Sequence, residues 1–218
     1  MKQFVNSYLN VRTVGNGHVP QRPFRDLDDL WRAAEPYMRA RHNDIHIPLS
    51  FYFAELILDD YPEADELVTR VAILLHDTGW ARVDAQKIIE EGFRSENWRQ
   101  SDARIQHEIE GCNIARELLP GLGFDEEFVG KVTAIIDGHD TRHEHYSLED
   151  AIVRDADRLW RFTPTGMGFS ALWFGWTPRE VLSDLDGRVL DEMITASGRR
   201  MAEAELGRSI ELLKLELL

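Results

Sequence analysis

Apolar residues recur along this chain at spacings of three and four, and almost no stretch alternates apolar and polar positions for long enough to make a strand. The pattern predicts an all-α protein. A first helix is expected over residues 26–41, with Leu27, Leu30, Trp31, Ala34 and Met38 on one stripe. A second is expected to start at Asn43 or Asp44, either of which can cap it. Pro48 then falls near the first turn, and His46, Leu49, Ser50, Phe53, Leu56 and Ile57 share a face. Residues 66–77 are nearly continuous in apolar side chains through Val71, Ala72, Ile73, Leu74 and Leu75. This marks a helix buried on most sides, with Gly79 as its stop.

Capping signals delimit the later helices. One runs from Ser101-Asp102 to Leu119, where Pro120-Gly121 ends it; another runs from an Asp125 cap to Gly138; a third opens on Ser147-Leu148-Glu149-Asp150. Thr177-Pro178 starts a further amphipathic stretch that reaches Leu190. The last helix, residues 198–217, aligns Leu206, Ile210, Leu213 and Leu217. That stripe can complete the core or form a homodimer interface, and core completion is the reading carried forward. Residues 1–25 mix Asn, Gly, Pro and Val without helical period and read as an N-terminal arm. Residues 26–177 read as the core, and residues 178–218 as C-terminal helices completing the same domain.

These helices deliver chemistry to the interior. His46 lies on an inward face, His76-Asp77 end the most apolar helix, and His107 shares a stripe with Gly111, Ile114, Ala115 and Leu118. His139 closes the stripe of Phe128, Val132, Ile135 and Ile136, and Asp157 sits among Ile152, Val153, Ala156 and Leu159. A neutral polar group buried without a partner costs roughly 2–7 kcal/mol. One inward histidine alone is usually a hydrogen-bonded core residue. Four of them at intervals of 30, 31 and 32 residues, followed by a buried aspartate, would need several separate polar clusters. A single metal site in the core satisfies all of them.

Composition narrows the function. The formal net charge of −14 disfavours nucleic-acid polymers and anionic membranes as partners, and it requires that an anionic substrate be held by local cations or a metal. Cys112 is the only cysteine, the first ten residues lack the basic-then-apolar layout of a signal peptide, and no apolar run reaches the ~20 residues of a membrane span. Cytoplasmic residence is the expectation.

His46, Leu74-Leu75-His76-Asp77-Thr78-Gly79, His107 with Gly111 and Ala115, His139, and Val153-Arg154-Asp155-Ala156-Asp157-Arg158-Leu159 together resemble the HD superfamily of metal-dependent phosphohydrolases, over residues 41–169. Within it, His107-Glu108-Ile109-Glu110-Gly111 and Asp155-Ala156-Asp157-Arg158-Leu159 are most similar to small stand-alone bacterial members. The resemblance implies an HD-type helical bundle with His46, His76, Asp77 and Asp157 as metal ligands. It assigns His107 and His139 to a second metal or to the substrate phosphate, and Asp155 to a supporting role. Asp77, His107 and His139 become the catalytic candidates. The cofactor implied is one or two divalent ions of manganese, cobalt, nickel, magnesium or iron. Two branches fit less well: the chain lacks the Gly-Tyr-Pro signature of cyclic-di-GMP hydrolases, and Thr78-Gly79-Trp80 replaces the acidic pair of alarmone hydrolases.

The reaction expected is hydrolysis of a phosphoester of a nucleotide or small phosphorylated metabolite by metal-activated water. Arg142, Arg158 and Arg161 are candidates to hold the phosphate, against ordinary surface ion pairing. The aromatic run from Trp160 to Trp176 reads as core packing before base stacking, and His143 and His145 as part of an exposed turn. The stretch from Trp80 to Arg99 reads as a lid or a solvated connection. Two alternatives stand beside the hydrolase. One is an HD-type di-iron oxygenase using all six of the ligand candidates; the other is a non-catalytic ligand-sensing module.

Overall fold

The computed structural model describes residues 27–216, which form ten α-helices and no strand. The fold is an all-α bundle, as the pattern predicts. The N-terminal arm over residues 1–25 lies outside the described residues.

The capping signals set the helix starts. Asp65, Ser101, Asp125, Ser147 and Thr177 each accept a hydrogen bond from a backbone N–H one turn on. They open α3 (Glu66–Leu75), α5 (Asp102–Leu118), α6 (Glu126–Ile136), α7 (Leu148–Leu159) and α9 (Pro178–Asp184). α3 is the centre of the molecule. Val71, Ala72, Ile73, Leu74 and Leu75 are all fully buried, and α2 (Asn43–Leu58), α6 and α7 pack around them. α10 (Ala196–Glu216) lies against α7, with Leu206 buried and Ile210 half-buried, so this part of its stripe completes the core. Leu217 is beyond the described residues.

The helix expected over residues 26–41 is interrupted. α1 (Asp28–Ala34) stops before Pro36, whose ring fits a 3₁₀ turn at Glu35–Tyr37 but cannot continue the helix. Arg41 and His42 then adopt left-handed φ of 54° and 57°. His42, not a capping side chain of Asn43 or Asp44, precedes α2. Two consecutive non-glycine residues in this region cost roughly 1–2 kcal/mol each. Aromatic contacts hold them: the His42 ring lies 4.6 Å from that of Phe169, and the Arg41 guanidinium packs against three aromatic rings.

α3 ends at Leu75, two residues before the expected Asp77, and the chain passes into a 3₁₀ turn at Thr78–Arg82 that lies directly on α5. A Cβ on Gly79 would overlap the His107 carbonyl oxygen and the Gly111 backbone nitrogen. Backbone therefore meets backbone here, which is why glycine occupies the position. The reading of residues 80–99 as a lid fails at its start: Trp80 is fully buried and Phe93 nearly so. Between them comes the short α4 (Ala85–Glu90), and the segment ends in a 3₁₀ turn at Trp98–Gln100. α8 (Pro164–Phe174) and a π-helical turn at Leu185–Val189 flank α9.

Candidate metal centre

The six candidate ligands converge. His46 comes from the first turns of α2, His76 and Asp77 from the end of α3, His107 from α5, His139 from the turn after α6, and Asp157 from α7. His46 Nε2 lies 2.9 Å from His76 Nε2, 3.1 Å from Asp77 Oδ2 and 3.3 Å from Asp157 Oδ1; His76 Nε2 is 3.5 Å from the same Asp157 oxygen. On the other side of Asp77, its Oδ1 stands 3.4 Å from His107 Nε2 and 3.6 Å from His139 Nε2. The two carboxylate oxygens of Asp77 thus face two histidine pairs. All six residues are buried.

The imidazoles are oriented for ligation. His76 Nδ1 lies 2.7 Å from the Ile73 carbonyl and His139 Nδ1 lies 2.8 Å from the Ile136 carbonyl, each one turn back. Donation to those carbonyls fixes the Nδ1–H tautomer and turns the Nε2 lone pair toward the centre. Lone pairs and carboxylate oxygens this close require cations or protons between them. The donor set of neutral imidazole and carboxylate suits a divalent transition ion or magnesium. Among the described residues, three overlapping groups have ligand atoms within 4.8 Å of one another: His46, His76 and Asp157; His76, Asp77 and His139; and His107, His139 and Asp140.

Asp140 is a member the sequence reading did not select, although it belongs to the second His-Asp dipeptide in the chain. It pairs with the buried Arg104, and the Asp140 and Thr141 backbone N–H groups both donate 2.9 Å bonds to Glu108. Arg41 and Trp80 were missed as well. Arg41 pairs with Asp77 Oδ2 at 3.2 Å, its guanidinium 4.6–4.8 Å from the ring centres of Trp80, Phe93 and Trp173, while Trp80 Nε1 donates a 2.9 Å bond to Asp77 Oδ1 and its ring stacks on His107 at 4.1 Å. Asn43 donates to the Asp77 carbonyl at 2.8 Å. Asp155, by contrast, is structural: it accepts from the Ile194 and Thr195 backbone N–H groups and from the Thr195 hydroxyl.

The charges follow from these contacts. Burial alone would favour protonated Asp77, but Arg41 and His76 outweigh it and hold the carboxyl well below its usual range. Asp157 is likewise held low against burial by His46 and His76. Burial opposes the charged form of His139, yet Asp77, Asp140 and Glu108 push it up to about 10; His107, where burial dominates, is pushed down. At pH 7 the metal-free His139 therefore holds a proton that a metal must displace. Titrating manganese into metal-free protein at pH 7, in buffers of different ionisation enthalpy, is expected to show proton release and an affinity that weakens as pH falls. Calorimetric heats independent of the buffer would contradict it.

Beside the centre opens a cavity of about 400 Å³ whose inner wall includes His139, Asp140 and Asp157. Seven arginines line it: Arg99, Arg104, Arg142, Arg154, Arg158, Arg161 and Arg188. The three expected from sequence are among them in unequal states. Arg142 is engaged by Asp150 and by the carbonyls of Asp137 and Glu144. Arg158 Nη1 is buried without a hydrogen-bond partner, as are Arg154 Nη1 and Arg104 Nη2. Arg161 takes part in none of the ion pairs within 4 Å among the described residues, and Asp157 and Asp140 hold its charge firmly. His143 and His145 are exposed, as expected, and edge the cavity. Trp160 is fully buried with its ring 4.7 Å from that of His46, so the aromatic run packs the core.

The HD domain family matches this chain over residues 44–161, the span that carries all six ligand candidates. Two solved structures share the fold. A predicted HD superfamily hydrolase from an uncultured Thermotogales bacterium is 22% identical with a TM-score of 0.59, over 88% of this chain and 91% of that one. YpgQ of Bacillus subtilis, in complex with ADP, is 20% identical with a TM-score of 0.55, over 86% and 92%. No match to a curated protein reaches significance.

Proposed function

Because the chain belongs to the HD-domain family, we propose that it is a metal-dependent hydrolase, and specifically a phosphohydrolase acting on a nucleotide or a small phosphorylated metabolite. The observation that carries the reading is the arginine-lined cavity beside the metal centre, in a chain whose net charge is −14. Seven guanidinium groups gathered against that general charge make a local field for an anion, and planar forks match phosphate oxygens. The ADP held by the Bacillus subtilis relative agrees with a phosphorylated ligand.

A divalent ion at the centre would polarise a phosphoryl oxygen and make an adjacent water more acidic. The chain's own groups do the rest. Asp77, kept ionised by Arg41 and tethered by Trp80, presents one oxygen to each histidine pair. His139, which lines the cavity, is placed to donate from Nε2 to a phosphate oxygen where it is not a ligand; His107 stands behind it against Trp80. Arg158 and Arg161 neutralise the phosphoryl charge from the cavity wall.

The test is phosphate release by metal-free protein reconstituted separately with manganese, cobalt, nickel, magnesium and iron(II), across nucleotides and sugar phosphates. Release is expected with at least one of these metals. Arg161→Ala is expected to raise KM about tenfold, the value of one charge-assisted contact. The six-ligand convergence also suits a di-iron oxygenase, so iron content and oxygen consumption belong to the same experiment. Turnover that consumes oxygen without freeing phosphate would move the chain to that class, and tight binding without any turnover to the sensing module.

A further inference from the structure

At the outer end of the cavity, three of its arginines converge on one carboxylate, with Arg188 also paired to Asp184 and Arg158 Nη1 lying 3.9 Å from Asp155. Glu192 lies in the turn between the π-helical segment and α10. Its Oε1 is 2.9 Å from Arg99, and its Oε2 is 3.1 Å from Arg188 and 3.8 Å from Arg158. The three guanidinium groups come from three separate elements: the 3₁₀ turn at Trp98–Gln100, the π-helical turn and α7. Arg99 and Arg188 both lie against the Trp98 ring, at 5.2 and 5.6 Å. A carboxylate in the middle of such a set does what a phosphate would do there. It neutralises like charges that otherwise repel, and it accepts bonds from planar donors.

The alternative is that Glu192 only organises the arginines as a surface salt bridge. Two observations weigh against that. Arg158 faces Glu192 through Nε, while its Nη1 is buried 3.9 Å from Asp155 without a hydrogen-bond partner, so donor capacity here exceeds what the carboxylates satisfy. The cluster also shares one cavity with His139 and Asp157, so an anion extending outward from the metal centre reaches it without crossing protein.

We propose that Glu192 is an internal competitor for substrate, its carboxylate occupying on Arg99, Arg158 and Arg188 the seat of a second anionic group, and so sets which ligand charge the cavity retains. It is a specificity-determining residue. A ligand with one anionic group gains the inner wall alone, whereas a ligand with a further phosphate or carboxylate displaces Glu192 and takes the outer arginines. The inference rests on the phosphohydrolase reading for the identity of the first anion. It does not need turnover for its test.

That test is equilibrium binding of two non-reacting probes, inorganic phosphate and methylene diphosphonate, to the full chain at fixed saturating manganese. Glu192→Gln is nearly isosteric and at a half-exposed position. It is expected to tighten methylene diphosphonate roughly five- to twentyfold, the combined effect of several partly exposed pairs, while changing phosphate less than about twofold. Glu192→Asp, which keeps the charge, is expected to stay near wild type. Glu203→Gln, on an ion pair outside the cavity, serves as control. Equal or weaker diphosphonate binding in Glu192→Gln, or the same gain for both probes, overturns the proposal. Failure of phosphate release in the metal panel overturns the hydrolase reading and leaves this binding comparison intact.

Discussion

Replacing Asp77 by asparagine is expected to lower metal-dependent phosphate release by on the order of a thousandfold, with bound metal falling in parallel. The reasoning is that a carboxylate facing both histidine pairs supplies several kcal/mol of charge stabilisation, and each 1.36 kcal/mol is about tenfold in rate. The same change removes the only carboxylate among the described residues that pairs with Arg41, whose side chain is 4% exposed. Breaking a buried pair from one side costs about 3–5 kcal/mol, so the melting temperature falls as well. Metal analysis and single-turnover phosphate release on the folded fraction separate the two effects. Retained metal with near-normal turnover would remove Asp77 from the centre.

The second large effect is on the frame. Gly79→Ala is expected to destabilise the protein by about 3 kcal/mol or more, because the added methyl meets the backbone of α5 and no flexible side chain can yield. For a chain of this size that corresponds to a fall in melting temperature of about 6–12 °C. The displacement passes directly to His107, whose carbonyl oxygen is the first atom struck. Gly130→Ala is the control: it lies inside α6 with nothing near its added Cβ, and it is expected to stabilise by roughly 0.5–1 kcal/mol. Urea unfolding of the pair distinguishes steric conflict from a general intolerance of glycine substitution. Equal midpoints for Gly79→Ala and wild type would refute the close contact.

The sequence was legible where one physical signal determines one local outcome. Side-chain caps at Ser101, Asp125, Ser147 and Thr177 mark helix starts because the first N–H groups have no other partner. The inward faces carrying His46, His107 and Asp157 follow from helical period alone. Pro36 breaks the first helix, a signal the stripe from Leu27 to Met38 conceals. Arg41 and Arg104 were not legible, since a charged residue near a helix end ordinarily reads as solvated surface. The converging rings of Trp80, Phe93, Trp98 and Trp173, together with the Asp77 and Asp140 carboxylates, make burial of a guanidinium tolerable. The cavity was half legible for the same reason. Arg142, Arg158 and Arg161 adjoin ligand motifs in sequence, whereas Arg99 and Arg188 reach the same space only through tertiary folding.

The backbone contact at Gly79 and Gly111 has a consequence for how such a chain can change over generations. The ligands His76, Asp77 and His107 are borne by segments that touch through main chain, where almost any substitution is costly. Apart from Arg158 on α7, the outer groups of the cavity are borne by connections: Arg99 by one turn, Arg142 by another, Arg188 and Glu192 by the segment between α9 and α10. Connections accept substitution and insertion with little effect on the frame. Reaction and ligand preference are thus housed in separately mutable parts, so a descendant can acquire a new substrate by altering three turns while inheriting its chemistry unchanged.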